Sequence, residues 1–100
     1  MRFLCLLLAL SACGASPAPQ FFGAERHEVT LGGIDFVVFR KGDRAEVVRL
    51  GYLGRAARDP VPALMEEAVL RTTGCRVRPG SRVTGLPGDT GEARFEIDCG

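Results

Sequence analysis

His27-Glu28-Val29-Thr30-Leu31-Gly32-Gly33-Ile34-Asp35-Phe36-Val37-Val38-Phe39-Arg40-Lys41-Gly42-Asp43-Arg44 decides the fold class. Residues 27–31 end at a Gly-Gly dipeptide, which accepts the positive φ that a two-residue hairpin turn requires. Residues 34–40 are rich in β-branched and aromatic side chains, and Lys41-Gly42-Asp43 supplies a second set of turn residues. Residues 44–50 then give a third strand. Alternation sends Ile34, Phe36 and Val38 to one face and Asp35, Val37 and Phe39 to the other, so apolar side chains leave the second strand on both sides. The expectation is a three-stranded antiparallel meander with 34–40 at its centre.

Working outward, Gly51-Tyr52-Leu53-Gly54-Arg55-Ala56-Ala57-Arg58 has no clear periodicity and reads as a connection. Asp59-Pro60 announces a helix, because Asp caps free backbone amides and Pro suits the first turn. Val61, Leu64, Met65, Ala68 and Thr72 recur at three- and four-residue intervals and form a stripe for a sheet to cover. Glu67 and Arg71 make a favourable i,i+4 pair, and Gly74 can end the helix in the left-handed conformation. Met65 reads as core filling and not as a cofactor ligand.

The N-terminus carries a different kind of signal. Arg2, an apolar run over residues 3–10 and small residues before a cut form the three parts of a secretory signal. The run is too short to cross a bilayer as a helix, which takes about 20 apolar residues. Leu10-Ser11-Ala12-Cys13 resembles the lipobox of bacterial lipoproteins at every position. That resemblance covers 13 residues and speaks to processing alone. It implies cleavage between Ala12 and Cys13, acylation of Cys13, and a protein held on the membrane by its lipid. Gly14 stands where an Asp would imply retention at the inner membrane, so the resemblance favours the outer membrane, with the domain facing the periplasm. The division that follows is a signal peptide over 1–12, the lipidated Cys13 with a flexible tether over 13–23, and one small domain over 24–100. Residues 14–20 are small, prolyl or polar and suit a tether. Of Phe21 and Phe22, at least one is expected to pack under the sheet.

Processing simplifies the rest of the chain. The 13 basic and 12 acidic side chains become 12 and 12 once Arg2 is lost. A neutral domain lacks the basic excess by which nucleic-acid binders displace counterions from phosphates. Twelve of the 13 basic residues are Arg, with Lys41 the exception. Cys5 leaves with the signal and Cys13 is acylated, so Cys75 and Cys99 remain for a single bridge, the default outcome in an oxidising compartment.

That bridge sets a register for the last quarter. In residues 92–99, Ala93, Phe95, Ile97 and Cys99 lie on one face and charges on the other. If residues 75–84 fold back so that Cys75 opposes Cys99, with the turn at Pro87, then Val77 faces Ile97, Arg76 faces Asp98, Arg78 faces Glu96 and Arg82 faces Glu92. Opposed charges of this kind contribute roughly 0.2 to 1 kcal/mol each. Pro79-Gly80 interrupts the first strand as a bulge or bend.

The whole reads as an α+β domain, a small mostly antiparallel sheet with one packed helix in the order βββαββ. His27 is the sole histidine and has no metal-ligand spacing around it. No nucleophile elbow is present, and Leu86-Pro87-Gly88-Asp89-Thr90-Gly91 lacks the Lys of a P-loop and the repeated acids of a calcium loop. No catalytic residue, cofactor or metal site is therefore expected. The expected function is that of an envelope lipoprotein with a structural or protein-interaction role, meeting the membrane through its lipid and, beyond it, another envelope protein or the cell wall. The alternative is a small-ligand or metal-binding periplasmic module.

Overall fold

The computed structural model describes residues 17, 19–85 and 89–100. The cleavage and lipidation positions Ala12 and Cys13, and the turn residue Pro87, lie outside the described residues. The described chain forms strands β1 (Glu25–Leu31), β2 (Ile34–Lys41) and β3 (Arg44–Arg49), helix α1 (Val61–Thr73), then strands β4 (Arg76–Val77) and β5 (Glu92–Asp98). The order βββαββ is thus the one expected. All neighbours in the sheet are antiparallel, in the spatial order β1-β2-β3-β5-β4.

The two turns of the meander have the geometry their residues allow. Leu31 pairs with Ile34 across Gly32 and Gly33, whose φ angles are +59° and +78°, as a two-residue turn with both central residues left-handed requires. Lys41 pairs with Arg44 across Gly42 and Asp43, where only Gly42 has positive φ, at +63°. β2 is the centre of the meander, and Phe36, Val37, Val38 and Phe39 are all buried while Asp35 is exposed.

The sheet separates two apolar layers. On one face α1 packs through Val61, Met65, Ala68 and Val69 against Phe36, Val38, Val47, Phe95 and Ile97. Fully burying one such side chain contributes roughly 1.5 to 3 kcal/mol. On the other face Phe21 closes over Val37 and Phe39. Phe22, its neighbour, is 61% exposed. Phe21 ends a short 3₁₀ turn, Pro19–Phe21, so packing reaches into the stretch read as tether.

Helix α1 departs from expectation at its start and in its stripe. Pro60 occupies the N-cap with no side-chain cap hydrogen bond. Asp59 does not cap α1: it has helical dihedrals and closes a 3₁₀ turn over Arg55–Arg58, so the free amides begin one residue beyond its reach. Val69, absent from the expected stripe, is fully buried, whereas Leu64 and Thr72 are only half-buried. The C-terminus ends as expected, with Gly74 at φ +74° and its N–H donating to the Leu70 carbonyl at 2.9 Å.

The C-terminal hairpin follows the expected register and then slips. Arg76 pairs with Asp98 and Val77 with Ile97, and the Arg78 N–H donates to the Glu96 carbonyl at 2.8 Å. Beyond a turn at Arg78-Pro79-Gly80-Ser81, with Gly80 at φ +76°, the next bridge joins Val83 to Arg94. The paired numbers now sum to 177 in place of 174, so the first strand carries three extra residues. Ser81 fills the gap. Its hydroxyl oxygen accepts from the Glu96 N–H at 3.1 Å and its own hydrogen goes to the Arg78 carbonyl at 2.7 Å. The slip removes the expected Arg82 to Glu92 pair: Arg82 donates to the Asp89 carbonyl at 2.9 Å, and Glu92 meets Arg94 at 3.6 Å. Arg76 and Asp98 are register partners, but no ion pair forms between their side chains within 4.0 Å.

Candidate functional site

The clearest constructed feature is the covalent pin at the edge of the sheet. α1 ends at Gly74 and delivers Cys75 to the core, 1% exposed, opposite the end of β5. Thr73 helps hold the corner, because its hydroxyl oxygen accepts from the Cys75 N–H at 3.1 Å. Cys75 and Cys99 are joined by a disulfide, with Cα atoms 4.2 Å apart. β4 has only two residues in the sheet, too few for ladder hydrogen bonds alone to hold it.

The face opposite α1 carries a second arrangement, one not read from the sequence. Glu46 lies in β3 between register partners Phe39 and Arg94 and is wholly buried. Arg94 donates from Nε to Glu46 Oε2 at 3.2 Å and reaches Glu92 at 3.6 Å with Nη2. A carboxylate taken out of water is tolerated when it is paired and hydrogen-bonded. A signal for this did exist. Glu46 shares its face with Val48, opposite Phe39 and Val37, so alternation places one acid in an apolar row.

Beside this pair runs an open groove of about 220 Å³ lined by Gln20, Phe21, Arg44, Ser81, Val83 and Glu96, among others. Its charged lining is two guanidinium groups, Arg44 and Arg94, and one carboxylate, Glu96, so the sign along it is mixed. A wider trough of about 470 Å³ lies between α1 and β4, lined by Glu66, Glu67, Leu70, Arg76 and Val77, and is also open to solvent. Sites that hold a small molecule bury most of its surface in ~300 to 1,000 Å³. Neither groove encloses a ligand in that way.

His27 is a partly exposed residue of β1, with Nε2 3.8 Å from Glu25 Oε1. Among the described residues no group of three or more His, Cys, Asp or Glu side chains is arranged to hold a metal ion. In the described part of the 86–91 loop, Asp89 Oδ1 accepts from the Gly91 N–H at 2.7 Å and Arg49 donates to the Thr90 carbonyl at 3.0 Å, which is turn chemistry. Glu67 and Arg71 form the expected helical pair at 3.1 Å. No described helix is long and apolar enough to cross a membrane. No protein-family model, curated protein or solved structure matches the chain.

Proposed function

We propose that the protein is a bacterial envelope lipoprotein, acylated at Cys13, whose small α+β domain has a structural or protein-interaction role beside the membrane, at the outer membrane in preference to the inner. The observation that carries this reading is Leu10-Ser11-Ala12-Cys13 behind an apolar run. The disulfide supports it. Of four cysteines, one would be removed with the signal and one acylated, and the remaining two are the pair that bond. A bridge of this kind persists in oxidising compartments. An interaction role is favoured over ligand binding because both grooves are shallow troughs with mixed charge.

Phe21, the first buried residue among those described, adds a distance argument. Eight residues from Cys13 to Phe21 span at most about 29 Å when fully extended, so an acyl group at Cys13 keeps the Phe21 side of the domain near the lipid surface. One acyl chain holds only marginally and several hold firmly. Mass spectrometry of the mature N-terminus tests the reading. The expected result is a chain beginning at an acylated Cys13, with the Cys13→Ala variant unprocessed and unlabelled by radioactive palmitate. An unmodified N-terminus at any other residue would remove both the anchor and the envelope assignment.

A further inference from the structure

We infer that β1 is the contact edge of a symmetric homodimer, in which two copies of the chain pair antiparallel through Glu25–Leu31 with His27 on the two-fold axis. The two ends of the sheet differ. β4, at one end, offers two residues pinned by the disulfide, whereas β1, at the other, is seven residues long and pairs without a bulge along its whole inner side. Among the described residues no strand covers its outer side. Proteins commonly protect such an edge with proline, bulges, brevity, lysine or other charged side chains. β1 has no proline, bulge or lysine, and its charges, Glu25, Arg26 and Glu28, are of both signs, so they repel a second strand in some registers and attract it in another.

The backbone settles which residues of β1 present unpaired groups outward. The Asp35 carbonyl accepts from the Leu50 N–H at 2.9 Å, on the β3 side of β2. Thr30, the register partner of Asp35, therefore directs its N–H and C=O away from β2. The same alternation turns Glu28 and Arg26 outward. A second copy added antiparallel must match these even-numbered residues with each other, which leaves few registers.

Charge selects among them. Arg26 opposite itself sets cation on cation, and Glu28 opposite itself sets anion on anion, both unfavourable directly across a strand pair. The register between them puts Arg26 opposite the second copy's Glu28, twice by symmetry. Each such pair exchanges both backbone hydrogen bonds, and the Thr30 N–H meets the second copy's Ala24 carbonyl. The Ala24 N–H is already committed to Phe21. Arg26 and Glu28 already pair within one copy at 2.6 Å on the solvent side of β1. The dimer closes the two pairs into a ring of alternating sign. A patch that complements itself about a two-fold axis makes a closed assembly and not a filament.

In this register His27 opposes its own copy at a position without cross-strand hydrogen bonds, where Cβ atoms stand roughly 4.5 to 5.5 Å apart, close to disulfide reach. Copies of Glu25 or of Val29 stand four residues out of line, about 13 Å apart. The experiment therefore uses the full-length chain in cells, with single Cys substitutions at 25, 27, 28 and 29, mild oxidation, and non-reducing electrophoresis beside the unsubstituted chain. The expected result is a homodimer band for His27→Cys several-fold stronger than for the other three. Arg26→Glu in the His27→Cys background should reduce that band to the level of Glu25→Cys, and adding Glu28→Arg should restore it. Equal bands at all four positions, the strongest band at Glu28→Cys, or no rescue by the charge swap would overturn the inference. It stands on the geometry of β1 and is independent of Cys13, so the palmitate experiment and this one can fail separately.

Discussion

Replacing Cys75 and Cys99 together by alanine should lower the free energy of unfolding by about 3.5 kcal/mol. The figure comes from the unfolded chain: a bridge between residues 24 apart in sequence closes a loop whose lost entropy has about that value at 25 °C. A domain of some 80 residues has roughly 4 to 12 kcal/mol of stability in all, at ~0.05 to 0.15 kcal/mol per residue. The bridge therefore supplies roughly 30% or more of it. At ~4 to 8 °C per kcal/mol for a domain of this size, thermal unfolding followed by circular dichroism should move down by roughly 14 to 28 °C. Urea titration supplies a second readout. Without the crosslink the unfolded ensemble expands, so the slope of stability against denaturant should rise. Cys99→Ala alone should reproduce most of the loss, since Cys99 is exposed and its removal leaves the buried Cys75 side chain in place. A loss below about 1 kcal/mol in the double variant would refute the reasoning. So would unchanged global stability with faster amide exchange confined to Arg78 and Glu96, because the bridge would then hold only the β4 edge.

Two further substitutions test the second apolar layer. Phe21→Ala should cost about 3 kcal/mol or more by the usual cost of removing a buried aromatic ring, whereas Phe22→Ala should stay within about 0.5 kcal/mol, the two compared by urea unfolding. Arg94→Ala weakens the compensation of buried Glu46 and should cost about 2 kcal/mol in the same assay. That is less than the ~3 to 5 kcal/mol of a fully buried broken pair, because the Arg94 side chain keeps 30% of its exposure.

The meander was legible because each of its decisions is local. Gly32-Gly33 and Gly42-Asp43 supply the positive φ that two-residue hairpin turns need, and the double-sided apolar pattern of β2 states its central position without reference to any other strand. The Cys75 to Cys99 register was legible for a different reason, since a covalent constraint and two alternating segments had to agree. What escaped depends on groups that periodicity does not count. Pro79-Gly80 announced an interruption, but its size is set by the Ser81 hydroxyl replacing a ladder partner of Glu96. Asp59 lost its cap because Arg55–Arg58 wound into a 3₁₀ turn that drew it into helical geometry. The Glu46 and Arg94 pair required knowing that β5 lies beside β3, which follows from the whole sheet and from no single segment. The groove beside that pair is assembled from Gln20, Arg44, Ser81 and Glu96, four separate stretches of chain, and was beyond reach for the same reason.

The position of β5 between β3 and β4 also orders events in time. Chains emerge from synthesis N-terminus first. β1, β2 and β3 contact near neighbours in sequence and can pair as soon as they are available. β3, however, keeps its outer edge bare until Glu92–Asp98 arrives more than 40 residues later. The same late segment brings Cys99, Phe95 and Ile97, and so completes the bridge and the layer under α1 together. Closure of the sheet waits on β5, and a truncation before it leaves an open-edged meander exposed to pairing with the wrong chain.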